Sequence, residues 1–378
     1  MLARPHRRPP ILFPVTTPPM PTTPAVTAAV TADPTVVADH GGNLGAARRR
    51  FRDAPEPWLD LSTGINPWPY PVPPLAAEVW QRLPDPAAID GVAAAAARAY
   101  GAPGPDHVAV APGSQALIQW LPRLCSPGRV AVLGPTYAEH AHCWAAAGHR
   151  VNLVTDAGTL YHGCWDTVVV ANPNNPDGRV IAPDRLIALA TGLAAGGGRL
   201  VVDEAFADLV PAVSVAAATG QPGLIVLRSF GKVFGLAGLR LGFALAAPDQ
   251  AHRLREALGP WPVSGPAVAI AGAALADHAW LAETRVRLAT AADRLDDLLH
   301  ARGLAVLGGT PLFRLAATRD AEAVFDHLGR AGILIRRFAS HPGWLRFGLP
   351  VSDTAWDRLA RALPPGVTPW RHDMSHQS

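Results

Sequence analysis

One lysine, Lys232, stands among the 33 lysine and arginine residues of this 378-residue chain. Arginine matches lysine as a surface cation, but its guanidinium stays protonated. A buried lysine amine can lose its proton and attack a carbonyl. Position 232 is therefore either a survivor of a drift toward arginine or a place where charge alone does not suffice. Its neighbours bear on the choice. The stretch SFGKVFGLAGLRLGF, residues 229–243, opens with Ser229 and contains Arg240. A hydroxyl and a guanidinium can grip one phosphate together, with the lysine beside them as nucleophile.

Other polar residues sit where apolar runs end. RLVV closes on Asp203 and Glu204. A carboxylate ending so apolar a run needs a partner, and either a protonated heterocyclic nitrogen or an arginine would serve. TVVVA leads into NPNNPDG, whose Asn-Pro pairs force extended or turn backbone. They display Asn172, Asn174 and Asn175, although an ordinary turn reads the same way. HVAVAP runs into Gly113, Ser114 and Gln115 and then a helical pattern. Such a turn offers free N–H groups to a phosphate, or simply caps a helix. Tyr137, in GPTYAEH, can cover a flat ring or pack in the core. Together these form a phosphate cradle, an acid for a ring nitrogen, an amide for a ring oxygen, an aromatic cover and a reactive amine. That set is complementary to pyridoxal 5′-phosphate, a cofactor that supplies an electron sink while the protein orients it.

The elements that must carry these residues are legible as short apolar runs: HVAVAPG, RVAVLGP, TVVVANP, RLVVDEA and LIVLRSF. Continuous runs of this kind fit strands buried on both faces of a parallel sheet. Helical stretches such as 183–195 lie between them, so the pattern is α/β with a mostly parallel central sheet. In such a sheet ligands bind beyond the carboxyl ends of the strands, where the polar residues above lie. After about Pro260 come long Ala/Leu/Arg helices to about Arg302. Then follow LFRLAA, a helix over 321–330, ILIRRF, WLRFGLP and a last helix over 353–363, which read as a smaller α+β domain. The expected organisation is a disordered tail over 1–38, a segment over 39–84 packing with the small domain, a large domain over 85–285, the small domain over 286–366 and a flexible tail over 367–378.

The net charge of +3 and pI near 9.0 do not mark a nucleic-acid face. The first 38 residues alone carry three arginines and one aspartate, and no basic stripe or zinc pattern follows. Cys125, Cys143 and Cys164 follow no metal or redox spacing and fit thiols of a reducing compartment. No metal site and no membrane partner are expected, and the location expected is the cytoplasm. The basic start of the tail hints at targeting, but prolines interrupt what would be its apolar core; Met20 is an alternative initiator.

From about His40 to Leu363 the chain resembles the fold type I aminotransferase superfamily that uses pyridoxal 5′-phosphate. NPNNPDG, VVDEAFADL and SFGKVFGLAGLRLGF carry the likeness, with ILIRRF and WLRFGL. HGGN and LDLSTGINPWPYP point within it to the threonine-phosphate decarboxylase branch of cobalamin biosynthesis, related to histidinol-phosphate aminotransferases. The resemblance implies that Lys232 holds the cofactor as a Schiff base and that Asp203 pairs with its ring nitrogen. It implies that Asn175 binds the phenolic oxygen, that Tyr137 covers the ring, and that Ser229, Arg240 and the Gly113–Gln115 turn hold the phosphate. It gives Arg346 to the substrate carboxylate, and Arg336 with His40 and Asn66 to the phosphate of a phosphorylated amino acid. It also implies a homodimer. Two positions depart from the pattern. Phe206 stands where many relatives have tyrosine. Leu83, in RLPD, stands where relatives have a tyrosine that reaches the neighbouring subunit, a role then vacant or taken elsewhere, with Tyr70 a candidate. The expected reaction is decarboxylation of O-phospho-L-threonine. An aminotransferase acting on histidinol phosphate or a related amino acid is the alternative, and a catalytically silent partner in corrinoid assembly is a second.

Overall fold

The computed structural model describes residues 28–30, 41–368 and 370. The expected tail over 1–38 therefore lies mostly outside the described residues, as do His40 and residues 371–378. Within that tail, Ala28–Val30 (β1) forms an edge strand rather than coil, antiparallel to Arg150–Val154 (β5).

The apolar runs do become strands: Val108–Ala111 (β3), Arg129–Leu133 (β4), Thr167–Ala171 (β6), Arg199–Asp203 (β7) and Leu224–Ser229 (β8). With β1, β5 and Gly242–Leu245 (β9) they form one sheet, in the order β1-β5-β4-β6-β7-β8-β9-β3. Strands β5, β4, β6, β7 and β8 run parallel, and β9 is antiparallel to both its neighbours. Every residue of β6 and β8 is buried, because helices cover both faces. Val168, Val170, Leu200 and Val226 fill one core layer; Val169, Val201, Ile225 and Leu227 fill the other. Each such side chain contributes about 1.5–3 kcal/mol by leaving water, which fixes the register that places the strand ends.

Strands β5 and β9 are absent from the sequence reading. RVNLV is interrupted by Asn152, since β5 meets only the three-residue β1 on its outer side and is half-buried there. Strand β9 begins inside the SFGKVFGLAGLRLGF stretch, only a few residues after the turn through Gly235 and Gly238, and returns antiparallel to close the sheet against β3.

The second unit holds Ala305–Thr310 (β10), Phe313–Ala317 (β11), Arg336–Arg337 (β13) and Trp344–Gly348 (β14), in the order β10-β11-β14-β13. ILIRRF is split: Ile333–Leu334 (β12) pairs instead with Leu59–Asp60 (β2) from the N-terminal segment. Arg358 tightens that junction by donating to the carbonyls of Pro57 and Ala331. The helix His278–Ala301 spans the division expected at 285/286 unbroken. Its Arg285 donates to the Asp208 carbonyl, while Asp296 pairs with Arg314 of β11, so one rigid rod touches both units.

Candidate active site

The carboxyl ends of β6, β7 and β8 open on a cavity of about 180 Å³. Gly113, Ser114, Gln115, Tyr137, Asn175, Asp203, Ser229, Lys232 and Arg240 all line it, with Phe206 on one wall. Residues scattered over more than a hundred positions thus converge because the parallel strands end on one rim.

One end of the cavity is shaped for an anion. Gly113 precedes the helix Ser114–Arg123 with φ of 85°, a region that favours glycine. A Cβ there would lie 2.7 Å from an Arg240 nitrogen, and a Cβ on Gly242 would lie 2.4 Å from the Ser114 amide nitrogen. Two glycines thereby bring the helix start, with its unbonded N–H groups, against Arg240. Arg240 itself takes the left-handed conformation, φ 52°, uncommon for a residue with a side chain.

The two adjacent acids at the end of β7 divide the two readings left open for them. Asp203 Oδ2 accepts from His140 Nε2 at 2.9 Å and Oδ1 accepts from the Ala205 amide at 3.0 Å. Glu204 takes the arginine: Arg228 donates to Glu204 Oε2 at 2.6 Å and to Asp208 Oδ1 at 2.8 Å. Burial pushes both the Glu204 and the Asp208 carboxyl upward, and the Arg228 cation pulls both back. Arg228 directly precedes Ser229, as Glu204 follows Asp203, so the buried ion pairs lock the strand ends that present the site. Arg228→Leu leaves two buried carboxylates without their cation. It is expected to lower the unfolding free energy by about 3–5 kcal/mol in urea titration; a loss under about 1 kcal/mol would show that the pairs do not hold these ends.

Burial, the cations Arg346 and Arg240, and against them Asp203, bring the Lys232 amine down to about 8. Near neutral pH about a tenth is therefore the free, nucleophilic base, far more than an ordinary lysine would offer. Phe206 places its ring 5.8 Å from the Lys232 nitrogen and packs edge-on against Phe313. Asn175 lines the same cavity and accepts from Arg346 through Oδ1.

The sequence model of the aminotransferase class I and II family matches residues 75–363. The chain belongs to that family. It is 48% identical to the threonine-phosphate decarboxylase of Pseudomonas aeruginosa over 86% of this chain and 97% of that one. It is 47% identical, over the same shares, to one from Sinorhizobium sp. Among solved structures it is similar to histidinol-phosphate aminotransferase from Sinorhizobium meliloti in complex with pyridoxal-5′-phosphate. The TM-score is 0.74 at 26% identity, over 85% of this chain and 93% of that one. The L-threonine-O-3-phosphate decarboxylase of Porphyromonas gingivalis has the same fold: TM-score 0.68, 20% identity, 81% and 98% covered.

The residues that the family likeness assigns to substrate are less tightly gathered than those around the main cavity. Arg346 is buried; it also donates to the Ser62 carbonyl at 2.8 Å and lies over the Phe313 ring. Arg336 is its cross-strand partner in register. It lines a second cavity with Gly41, Asn43 and Ser62. Asn66 stands apart from both. Its amide donates to the Val233 carbonyl and accepts from the Trp68 amide, so it braces the loop that follows Lys232. Tyr70 is turned into its own chain, against Phe234 and Trp280, with its hydroxyl on Asp277. His140, buried against Asp203, is the polar residue at this rim that sequence reading missed. Its one signal is its place three residues after Tyr137, on the same face of the helix Ala138–Ala146.

Proposed function

We propose that this chain is a lyase dependent on pyridoxal 5′-phosphate that converts O-phospho-L-threonine to (R)-1-amino-2-propanol O-2-phosphate in cobalamin biosynthesis. The similarity to threonine-phosphate decarboxylases across 97% of their length supports it. The observation that carries it is the pairing of Arg336 with Arg346. Like charges in register across two strands repel. Burial, then the neighbouring Arg336 cation, lowers the Arg346 guanidinium to about 9, with Asp60 opposing. A substrate with a carboxylate for Arg346 and a phosphate for Arg336 would match the two cations that these neighbouring strands present. His40 immediately precedes Gly41 of the Arg336 cavity and is the further candidate for the phosphate.

The residues present fit the cofactor. The glycine-lined start of the helix Ser114–Arg123, Ser229 and Arg240 would hold its phosphate. Asp203 would face its ring nitrogen, Asn175 its phenolic oxygen, and Tyr137 would cover the ring. When bound, it supplies an electron sink for the pair released by a bond breaking at Cα. Lys232 would hold the cofactor through its side-chain amine, and that amine would be available to carry a proton once substrate is bound. Asp203, oriented by His140, holds a proton at the ring nitrogen. Arg346 and the phosphate-binding residues would orient the substrate so that the bond to its carboxylate, rather than the Cα hydrogen, is the one presented for cleavage. The freed Lys232 amine returns a proton to Cα after CO2 departs.

The structural likeness to a histidinol-phosphate aminotransferase favours amino transfer as the second reading. Incubation with O-phospho-L-threonine separates the two: CO2 and a phosphorylated amino alcohol are expected, whereas amino transfer to a 2-oxo acid without gas release overturns the lyase. A cofactor absorption band that responds to substrate eliminates a silent binding partner. The depressed Lys232 amine gives a pH signature. Covalent loading of apoprotein should quicken as pH rises through about 8, since only the deprotonated amine attacks. A midpoint near the ordinary lysine value would contradict this.

We also infer a cytoplasmic homodimer. The free thiols Cys125, Cys143 and Cys164 suit a reducing compartment. Among the described residues no helix is long and apolar enough to cross a membrane. Trp80 and Leu83 are 69% and 66% exposed on one short segment, an apolar surface suited to a subunit partner.

A further inference from the structure

A relay of three side chains stands beside the main cavity. Tyr137 donates its hydroxyl to Gln115 Oε1 at 3.0 Å, and Gln115 Nε2 donates to Glu139 Oε2 at 3.1 Å. The direction is fixed by chemistry. An ionised carboxylate only accepts, so Glu139 turns the Gln115 NH2 group toward itself. The amide oxygen must then face Tyr137, whose hydroxyl has to act as donor. Glu139 lies in the first turn of Ala138–Ala146, where the helix dipole favours a negative charge. The Cys143 thiol approaches the same carboxylate oxygen at 3.8 Å. Gln115 lies in the first turn of Ser114–Arg123, beside the anion-binding end of the cavity. The relay therefore ties two helix starts together, one bearing the phosphate cradle and the other following the ring that covers the cavity. That ring is held at its hydroxyl by Gln115 and stands edge-to-face with the His140 ring, centroids 6.0 Å apart at 87°.

Resting on the cofactor reading above, we propose that the side chains of Gln115 and Glu139 are positioning residues that fix the Tyr137 ring over the bound cofactor. The Gln115 side chain acts on Tyr137 and leaves contact with the phosphate to its backbone N–H. A merely space-filling Gln115 has no reason to depend on a hydroxyl at position 137, and the test uses that dependence. Holoenzymes carrying Gln115→Met, Tyr137→Phe, both together, and Glu139→Gln are compared by the visible circular-dichroism band of the bound cofactor and by its release rate. Each single change at 115 or 137 should alter the band and speed release roughly three- to tenfold, the weight of one hydrogen bond. The double variant should be no worse than the poorer single one. Glu139→Gln should have a smaller effect in the same direction, because it removes the bias on the amide and not the amide itself. Multiplying effects in the double variant, or an unchanged band in Gln115→Met, would overturn the proposal while leaving the cofactor reading intact. Wild-type protein that shows no visible band with the cofactor would sink both.

Discussion

Lys232→Arg should give a folded protein that releases CO2 from O-phospho-L-threonine at least about 10⁴-fold more slowly, the upper end of what a positioned proton-transfer group contributes. The substitution keeps the positive charge, so any role that rests on charge survives it. What it removes is an amine that can shed its proton. The environment of Lys232 favours that shedding: burial first, then the cations Arg346 and Arg240, outweigh the pull of Asp203 and bring the amine to about 8. A guanidinium in the same place stays protonated and cannot attack a carbonyl. It also fills more of a cavity whose wall is the Phe206 ring, so the aldehyde end of the cofactor would be crowded as well as unlinked. Two measurements check this. Borohydride reduction of wild-type holoenzyme should label the peptide containing residue 232, and the variant should take up no label there. A variant that keeps more than a hundredth of the wild-type rate would mean that the lone lysine is a survivor after all.

Much of this site is legible in the amino-acid sequence because parallel sheets write their strands as unbroken apolar runs, and three of the runs here end in polar residues that the apolar interior would not tolerate unpartnered. TVVVA, RLVV and LIVLR each place the next residues on the same rim. The pairings across that rim are not legible. Asp203 and Glu204 look alike in sequence, yet one faces His140 and the other Arg228. In YAEHAH only the three-residue spacing from Tyr137 separates His140, which is buried, from His142. Asn66 sits in a stretch that carries the family likeness, yet both ends of its amide are taken by backbone. A motif preserves residue identity at a position without saying whether the side chain faces ligand or braces a loop. Strand β5 is hidden because a strand with one weak neighbour loses the continuous apolar signature that marks the others.

Asp203→Asn should cut decarboxylation on the order of 10²–10³-fold, the loss seen when a pre-organised electrostatic partner is taken from a water-poor site. The shape is preserved, so the effect isolates charge. Asparagine can still accept from the Ala205 amide, but the group facing His140 Nε2 becomes an NH2 donor or a neutral oxygen. Neither keeps a proton on a ring nitrogen near neutral pH as a carboxylate does. His140→Asn makes the contrast. It leaves the Asp203 charge and removes only its orienting partner, so the expected loss is nearer tenfold, one ordinary charged hydrogen bond. The ordering of the two variants is the informative result, read from CO2 release alongside the cofactor absorption band. If Asp203→Asn stays within about threefold of wild type, less than a single hydrogen bond is worth, the ring nitrogen needs no proton. The electron-sink mechanism assigned to this rim would then be wrong, whatever Lys232 does.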